Sequence, residues 1–138
     1  MAKPCIYTLY FDGCSKGNPG KAGAGFAIYK DDEEIASQSI YVGEKETNNK
    51  AEYTGLFEGL QYALQQNIKC IHVKGDSNLA IKQMKGEYKV KSENIQTIYQ
   101  NTKQLCTQFE SITFEHVYRK DNKRADQLAN LALDSIDS

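Results

Sequence analysis

Apolar, aromatic and β-branched residues run almost unbroken from Cys5 to Phe11 and stop at Asp12. A run of this kind predicts a strand covered on both faces. Residues 13–23 follow with Gly13, Gly17, Asn18, Pro19, Gly20 and Gly23, the composition of a loop. Segments at about 24–30 and 35–42 predict a hairpin turned by Asp31-Asp32-Glu33-Glu34. Between 49 and 66, Ala51, Gly55, Gly59 and Ala63 recur every four residues beside Leu56, Leu60 and Leu64. That is helical spacing, with a small-residue stripe that lets the helix approach a sheet closely. A strand is predicted at 69–75, ending at Asp76, and a short helix from Ser77 to about Met84, stopped by Gly86. Ile95, Ile98, Leu105 and Phe109 mark an amphipathic helix over 93–109. Residues 112–118 alternate as a strand, and Ala125, Leu128, Ala129 and Ala132 mark a last helix over 122–133.

The order β-β-β-α-β-α-α-β-α predicts an α/β fold. Three antiparallel strands and then parallel ones give a five-stranded mixed sheet with helices on both faces. At 138 residues the chain is expected to form one domain, 1–138. It shows no linker, repeat or low-complexity segment.

Composition adds limits. With 40% hydrophobic and 25% charged residues the chain has a soluble globular make-up. No apolar run approaches the roughly 20 residues needed to cross a bilayer. The N-terminal run Met1-Ala2-Lys3-Pro4-Cys5 lacks a signal peptide's apolar stretch, so a cytoplasmic location without membrane contact is expected. Cysteines at 5, 14, 70 and 106 form no CxxC pair, and no histidine has zinc-finger spacing, so reduced thiols are expected. Net charge is −1, from 17 basic and 18 acidic residues, which argues against a strong global field for nucleic acid. Local excesses remain: Lys82, Lys85, Lys89 and Lys91 in one segment, and Arg119, Lys120, Lys123 and Arg124 in another.

The carboxylates carry the chemistry. Asp12 and Asp76 end predicted strands, while Glu52 and Asp126 fall in the first turns of predicted helices. In an open α/β sheet, sites form beyond the carboxyl ends of parallel strands, where helix first turns also lie, so the four acids can share one patch. Several carboxylates that close cannot all stay ionised without raised pKa values or bound cations. An oxygen-only donor set selects hard ions, two Mg²⁺ with Mn²⁺ as substitute. Two such ions form a clamp for phosphodiester cleavage. A P-loop is excluded, because Gly20-Lys21 is followed by Ala22 and Ser15 holds the first glycine position. The glycines of 13–23 instead suit a tight turn and the close approach of a substrate backbone. His116 and His72 are expected to be structural, and Cys14 receives no chemistry because no base partner is visible.

Over about residues 6–133 the chain resembles type 1 ribonuclease H. Four elements in order carry the resemblance: Asp12-Gly13 with Gly17-Asn18-Pro19-Gly20, Thr47-Asn48-Asn49-x-x-Glu52, Gly75-Asp76-Ser77, and Asn122-x-x-Ala125-Asp126-x-Leu128-Ala129-Asn130. The resemblance implies hydrolysis of the RNA strand of RNA–DNA hybrids by a monomer. It implies that Asp12 bridges two metals, Glu52 and Asp76 complete one metal site, and Asp126 completes the other. It also implies that Asn18, Asn48, Asn49 and Asn78 touch the hybrid's minor groove or backbone, and that Thr47 lies near the DNA-strand phosphate. Short amides can both donate to and accept from 2′-hydroxyls.

Two features depart from many relatives. The segment Val117-Tyr118-Arg119-Lys120-Asp121-Asn122 is short and has no histidine, which resembles archaeal and some bacterial members. Arg119 is then the candidate for product or leaving-group handling, with Lys120 second; an arginine cannot shuttle protons at neutral pH. There is also no tryptophan-rich basic protrusion, only Lys82, Lys85, Tyr88, Lys89 and Lys91, so weaker and salt-sensitive hybrid binding is expected. A wider expectation includes double-stranded RNA. The alternatives are a catalytically weak nucleic-acid-binding module and another polynucleotidyl transferase of the same fold.

Overall fold

The computed structural model describes residues 5–137, with side chains to Asp134. The N-terminal residues 1–4, on which the signal-sequence reading rests, lie outside it. The expected five-stranded mixed sheet is what forms. Its strands are β1 (Tyr7–Lys16), β2 (Gly20–Lys30), β3 (Glu33–Glu46), β4 (Cys70–Gly75) and β5 (Ser111–His116), in spatial order β3-β2-β1-β4-β5. β1, β2 and β3 pair antiparallel, whereas β4 runs parallel to both β1 and β5. The helices are α1 (Asn48–Gln65), α2 (Asn78–Met84), α3 (Glu93–Cys106) and α4 (Lys123–Asp137), with a 3-10 turn at Arg119–Asp121.

Leu9, Phe11, Phe26, Ile28, Tyr53, Leu56, Leu60, Ile71 and Val73 are buried in one core between the sheet and α1 to α3. The small-residue stripe of α1 does what its spacing predicts. A Cβ on Gly55 would lie 2.8 Å from the carbonyl oxygen of Asp12, so the helix rides directly on the backbone of β1. α4 covers the opposite face: a Cβ on Gly25 would lie 2.6 Å from Cβ of Leu128.

Several expectations are corrected. The loop expected at 13–23 is mostly sheet, because β1 and β2 stay paired to Lys16↔Lys21 and only 17–19 turn the chain. Gly13 and Gly23 admit helix backbones there, not a substrate. A positive φ of 111° at Gly17 supplies the turn. Reduced thiols were expected throughout, yet Cys5 and Cys70 form a disulfide with Cα atoms 5.4 Å apart. The parallel pairing of β1 with β4 brings the two together, which sequence spacing could not reveal. His116 is exposed and stacks edge-on against Tyr118 at 5.7 Å instead of joining a packed face. His72 is half-buried and bonds Thr113 and, at 2.8 Å, Glu115.

Candidate active site

The parallel ladder between β1 and β4 ends at Phe11↔Gly75. Asp12 and Asp76 are the next residues on their strands, so they lie side by side where the ladder stops. Asp12 is therefore inside β1, not at its end as expected, because β1 continues with β2 as its only partner. α1 crosses over this point and supplies Glu52. That residue belongs to the second turn, since the helix starts at Asn48. One carboxylate oxygen from each of Asp12, Glu52 and Asp76 falls within 4.8 Å of the others. Asp126 lies in the first turn of α4 and is outside that trio, but its charge is felt at Asp12.

The electrostatics are those of crowded acids. Burial, then Asp76, then Asp126 push the Asp12 carboxyl up to about 7. Burial, Asp12 and Asp76 raise Glu52 well above the usual carboxylate range, with Arg119 partly opposing them. Glu52 Oε2 is buried and has no hydrogen-bond partner. A buried polar oxygen without a partner is rare, and a divalent cation at this point would satisfy it while relieving the repulsion. The donor set is all oxygen. The residues therefore fit a hard divalent ion, held by Asp12, Glu52 and Asp76.

Around the acids a second set of side chains is knit together. Asn18 Oδ1 accepts the backbone N–H of Asn48 at 2.9 Å, and Asn48 Oδ1 accepts that of Ser15 at 2.7 Å. Both oxygens are used internally, which leaves the amide NH₂ groups of these two exposed residues to face outward. Thr47 caps α1, its Oγ1 accepting from the N–H of Lys50 at 3.1 Å. Asn49 is half-buried in the first turn of the same helix. Asn78 is exposed at the start of α2, just after Asp76 and the Ser77 cap. Arg119 is exposed and opens the 3-10 turn. Tyr88 is 48% exposed, with the Lys82 ammonium 4.9 Å from its ring centroid.

Three contributors carried no role in the sequence. Asn122 is buried and donates from Nδ2 to the carbonyl oxygen of Phe11 at 2.9 Å. Asn130 Nδ2 donates to the Asp126 carboxylate at 3.3 Å, a contact that i,i+4 spacing on a helix could have suggested. Asn94 Nδ2 donates to Thr47 Oγ1 at 3.4 Å across a long sequence separation that leaves no local signal.

The chain matches a model of the family described as "Reverse transcriptase-like" over residues 10–132. It is 35% identical to the ribonuclease H1 of the archaeon Halobacterium salinarum in its crystal structure, at a TM-score of 0.89 over 94% of this chain and 98% of that one.

The chain belongs to the ribonuclease H family.

Its fold superposes equally on another ribonuclease H1, LC11, solved in complex with an RNA/DNA hybrid. That match has 32% identity, a TM-score of 0.88, and covers 96% of this chain and 99% of that one. As a curated sequence, ribonuclease HI of H. salinarum is 37% identical over 125 residues, or 91% of this chain. The chain spans 63% of that relative's length and 34% of the mycobacterial relatives it also matches. Within the family, Asp12, Glu52 and Asp76 of this member converge at the end of the β1–β4 ladder. No helix among the described residues is long and apolar enough to cross a membrane.

Proposed function

We propose that this chain is a metal-dependent endoribonuclease, a single catalytic domain that hydrolyses the RNA strand of RNA–DNA hybrids. The convergence of Asp12, Glu52 and Asp76 oxygens within 4.8 Å, with Glu52 Oε2 left unpartnered, carries the reading. The relative solved with a hybrid supports the substrate class.

When bound, divalent ions, Mg²⁺ or Mn²⁺, supply charge neutralisation and activation of water for phosphodiester hydrolysis. The protein's own work is positioning. Asp12 and Asp76 are fixed by the sheet, Glu52 by a helix pressed onto the backbone of β1, and Asp126 by Asn122 and Asn130. Asp12, Glu52 and Asp76 would hold one ion, and Asp126 with Asp12 would hold a second. The outward amides of Asn18 and Asn48, with Asn49 and Asn78, read the 2′-hydroxyl-bearing minor groove. Thr47, steadied by Asn94, receives a DNA-strand phosphate. Arg119 faces the carboxylates as a fixed cation that assists departure of the product. With Lys82 turned onto Tyr88 and Lys85 3.9 Å from Glu87, the basic segment grips the hybrid weakly, and the phosphate contacts that remain are salt-sensitive.

Incubation of end-labelled RNA–DNA, RNA–RNA and DNA–DNA duplexes with Mg²⁺, Mn²⁺ or chelator tests this. Cleavage of the RNA strand of the hybrid is expected, and cleavage of the RNA–RNA duplex would widen the substrate class. Binding without cleavage under either metal would leave a nucleic-acid-binding module.

A further inference from the structure

On the α4 face of the sheet, behind the carboxylates, lies a cavity of about 420 Å³ that the proposed reaction does not use. That volume falls in the range of small-molecule sites. Tyr10 of β1 and Tyr29 of β2 line it with rings edge to face, centroids 5.6 Å apart at 81°. The Lys74 ammonium lies 5.8 Å from the Tyr10 ring centroid. Asp12 is two residues beyond Tyr10 on β1, and Asp76 follows Lys74 by two at the end of β4. The cavity therefore adjoins the acid cluster without sharing a residue with it.

Its charges are unevenly distributed. Asp31 and Asp32, in the β2–β3 turn, lie on one side of β1. Lys74 on β4 lies on the other, with Lys120 and Lys123 around the start of α4 outnumbering the one carboxylate there, Asp121. Arg124 also lines the cavity, but its guanidinium is engaged by Glu34 at 2.7 and 3.2 Å. Lys74, Lys120 and Lys123 form no ion pair among the described residues, so three cations face the space without a carboxylate in contact.

A bare anion would leave the tyrosines and aspartates unused, and an apolar ligand would strand both charged walls. A ligand with a phosphate at one end, an aromatic ring, and N–H and O–H donors at the other end satisfies all three surfaces. We infer that this cavity binds a nucleoside 5′-monophosphate. The lysines take the phosphate, the tyrosines contact the base, and the aspartates accept from ribose hydroxyls or exocyclic amines.

Isothermal titration with AMP, GMP, CMP and UMP tests this, with adenosine and inorganic phosphate alone as controls. Titrations in chelator and on Asp12→Asn remove binding through the metal cluster. The expected result is saturable binding of at least one nucleotide with a Kd of about 1 mM or tighter. Adenosine and phosphate should each bind at least about tenfold more weakly, a 1.4 kcal/mol difference. Lys74→Gln and Tyr29→Leu should each weaken nucleotide binding by a similar factor. If Tyr29→Leu does not fold by circular dichroism, Lys74→Gln decides the matter. No saturable binding of any nucleotide would overturn the inference, as would binding unaffected by Lys74→Gln. Inorganic phosphate binding as tightly as the nucleotides, an adventitious ion only, would also overturn it. The readout is binding, so loss of hybrid cleavage and loss of this site remain distinguishable.

Discussion

Asn122 donates its side-chain amide to the carbonyl oxygen of Phe11, 2.9 Å away and 111 residues earlier in the chain. Phe11 precedes Asp12, and Asn122 accepts through its own carbonyl from the backbone N–H of Asp126 at 3.1 Å. One buried asparagine thus bonds, through its side chain and its main chain, the backbone beside two of the four acids, and fixes the start of α4 against β1.

Replacing Asn122 by Ala leaves the Phe11 carbonyl without its donor in a buried setting, at a cost of about 1–3 kcal/mol. Urea denaturation should show that loss. Cleavage at a temperature where the variant is still folded should fall by more than the folded fraction does, because the start of α4, which carries Asp126, is no longer tied by a side chain to β1. A variant as stable and as active as the parent would remove Asn122 from the account.

The acid cluster makes the metal-free protein sensitive to pH in a defined direction. Asp12 is raised to about 7 from 3.8, and Glu52 is raised as well, so the folded state holds protons the unfolded chain releases. The Asp12 contribution is fully present below its unfolded value and is lost as pH rises through about 7. Melting in chelator should therefore show Tm falling between about pH 5 and pH 8. Asp12→Asn should flatten that slope, and Mg²⁺ at the alkaline end should restore Tm by preferential binding to the folded state. A Tm in chelator that rises over the interval would contradict the electrostatics described here.

Two glycines should respond differently to alanine. At Gly55 the added methyl would lie 2.8 Å from the Asp12 carbonyl and 2.9 Å from that of Gly25, so α1 must lift off the sheet and carry Glu52 with it. Overpacking of this kind costs about 1–3 kcal/mol, and activity should fall as well. At Gly86 nothing lies within 4 Å, but φ is +81°, so alanine brings only backbone strain of about 1–2 kcal/mol with activity retained. Paired denaturation and cleavage measurements on the two variants separate the effects.

The Cys5–Cys70 bridge closes a loop across a sequence separation of 65 residues. Constraint of the unfolded chain over such a loop is worth about 2–4 kcal/mol. Cys5→Ser, or reduction of the parent, should lower stability by about that amount while cleavage is retained, since β1 and β4 meet the acids at their opposite ends. Thiol titration of the unfolded, unreduced protein checks the bridge directly and should count two free thiols, Cys14 and Cys106.

Element order, helix faces and the convergence of Asp12, Glu52 and Asp76 were legible because they are written in local patterns: strand runs, the four-residue stripe of α1, and acids near predicted element ends. What the sequence hid depends on pairing. The glycines of 13–23 have loop composition, yet Gly13 and Gly23 exist for the backbones of α1 and α4, which a linear pattern does not show. Cys5 and Cys70 meet only once β1 lies beside β4. Asn94 reaches Thr47 only after α3 packs against α1. Asn122 stood in a recognised motif, but its partner is a backbone carbonyl, and no side-chain pattern points to one.

The most direct measurement is cleavage of a hybrid labelled separately on its RNA and DNA strands, by the parent chain and by Asp12→Asn, with Mg²⁺ and with chelator. Cuts are expected in the RNA strand alone, lost both in chelator and in the folded Asp12→Asn protein. Cleavage that survives Asp12→Asn, or that falls on the DNA strand, would contradict the proposed function.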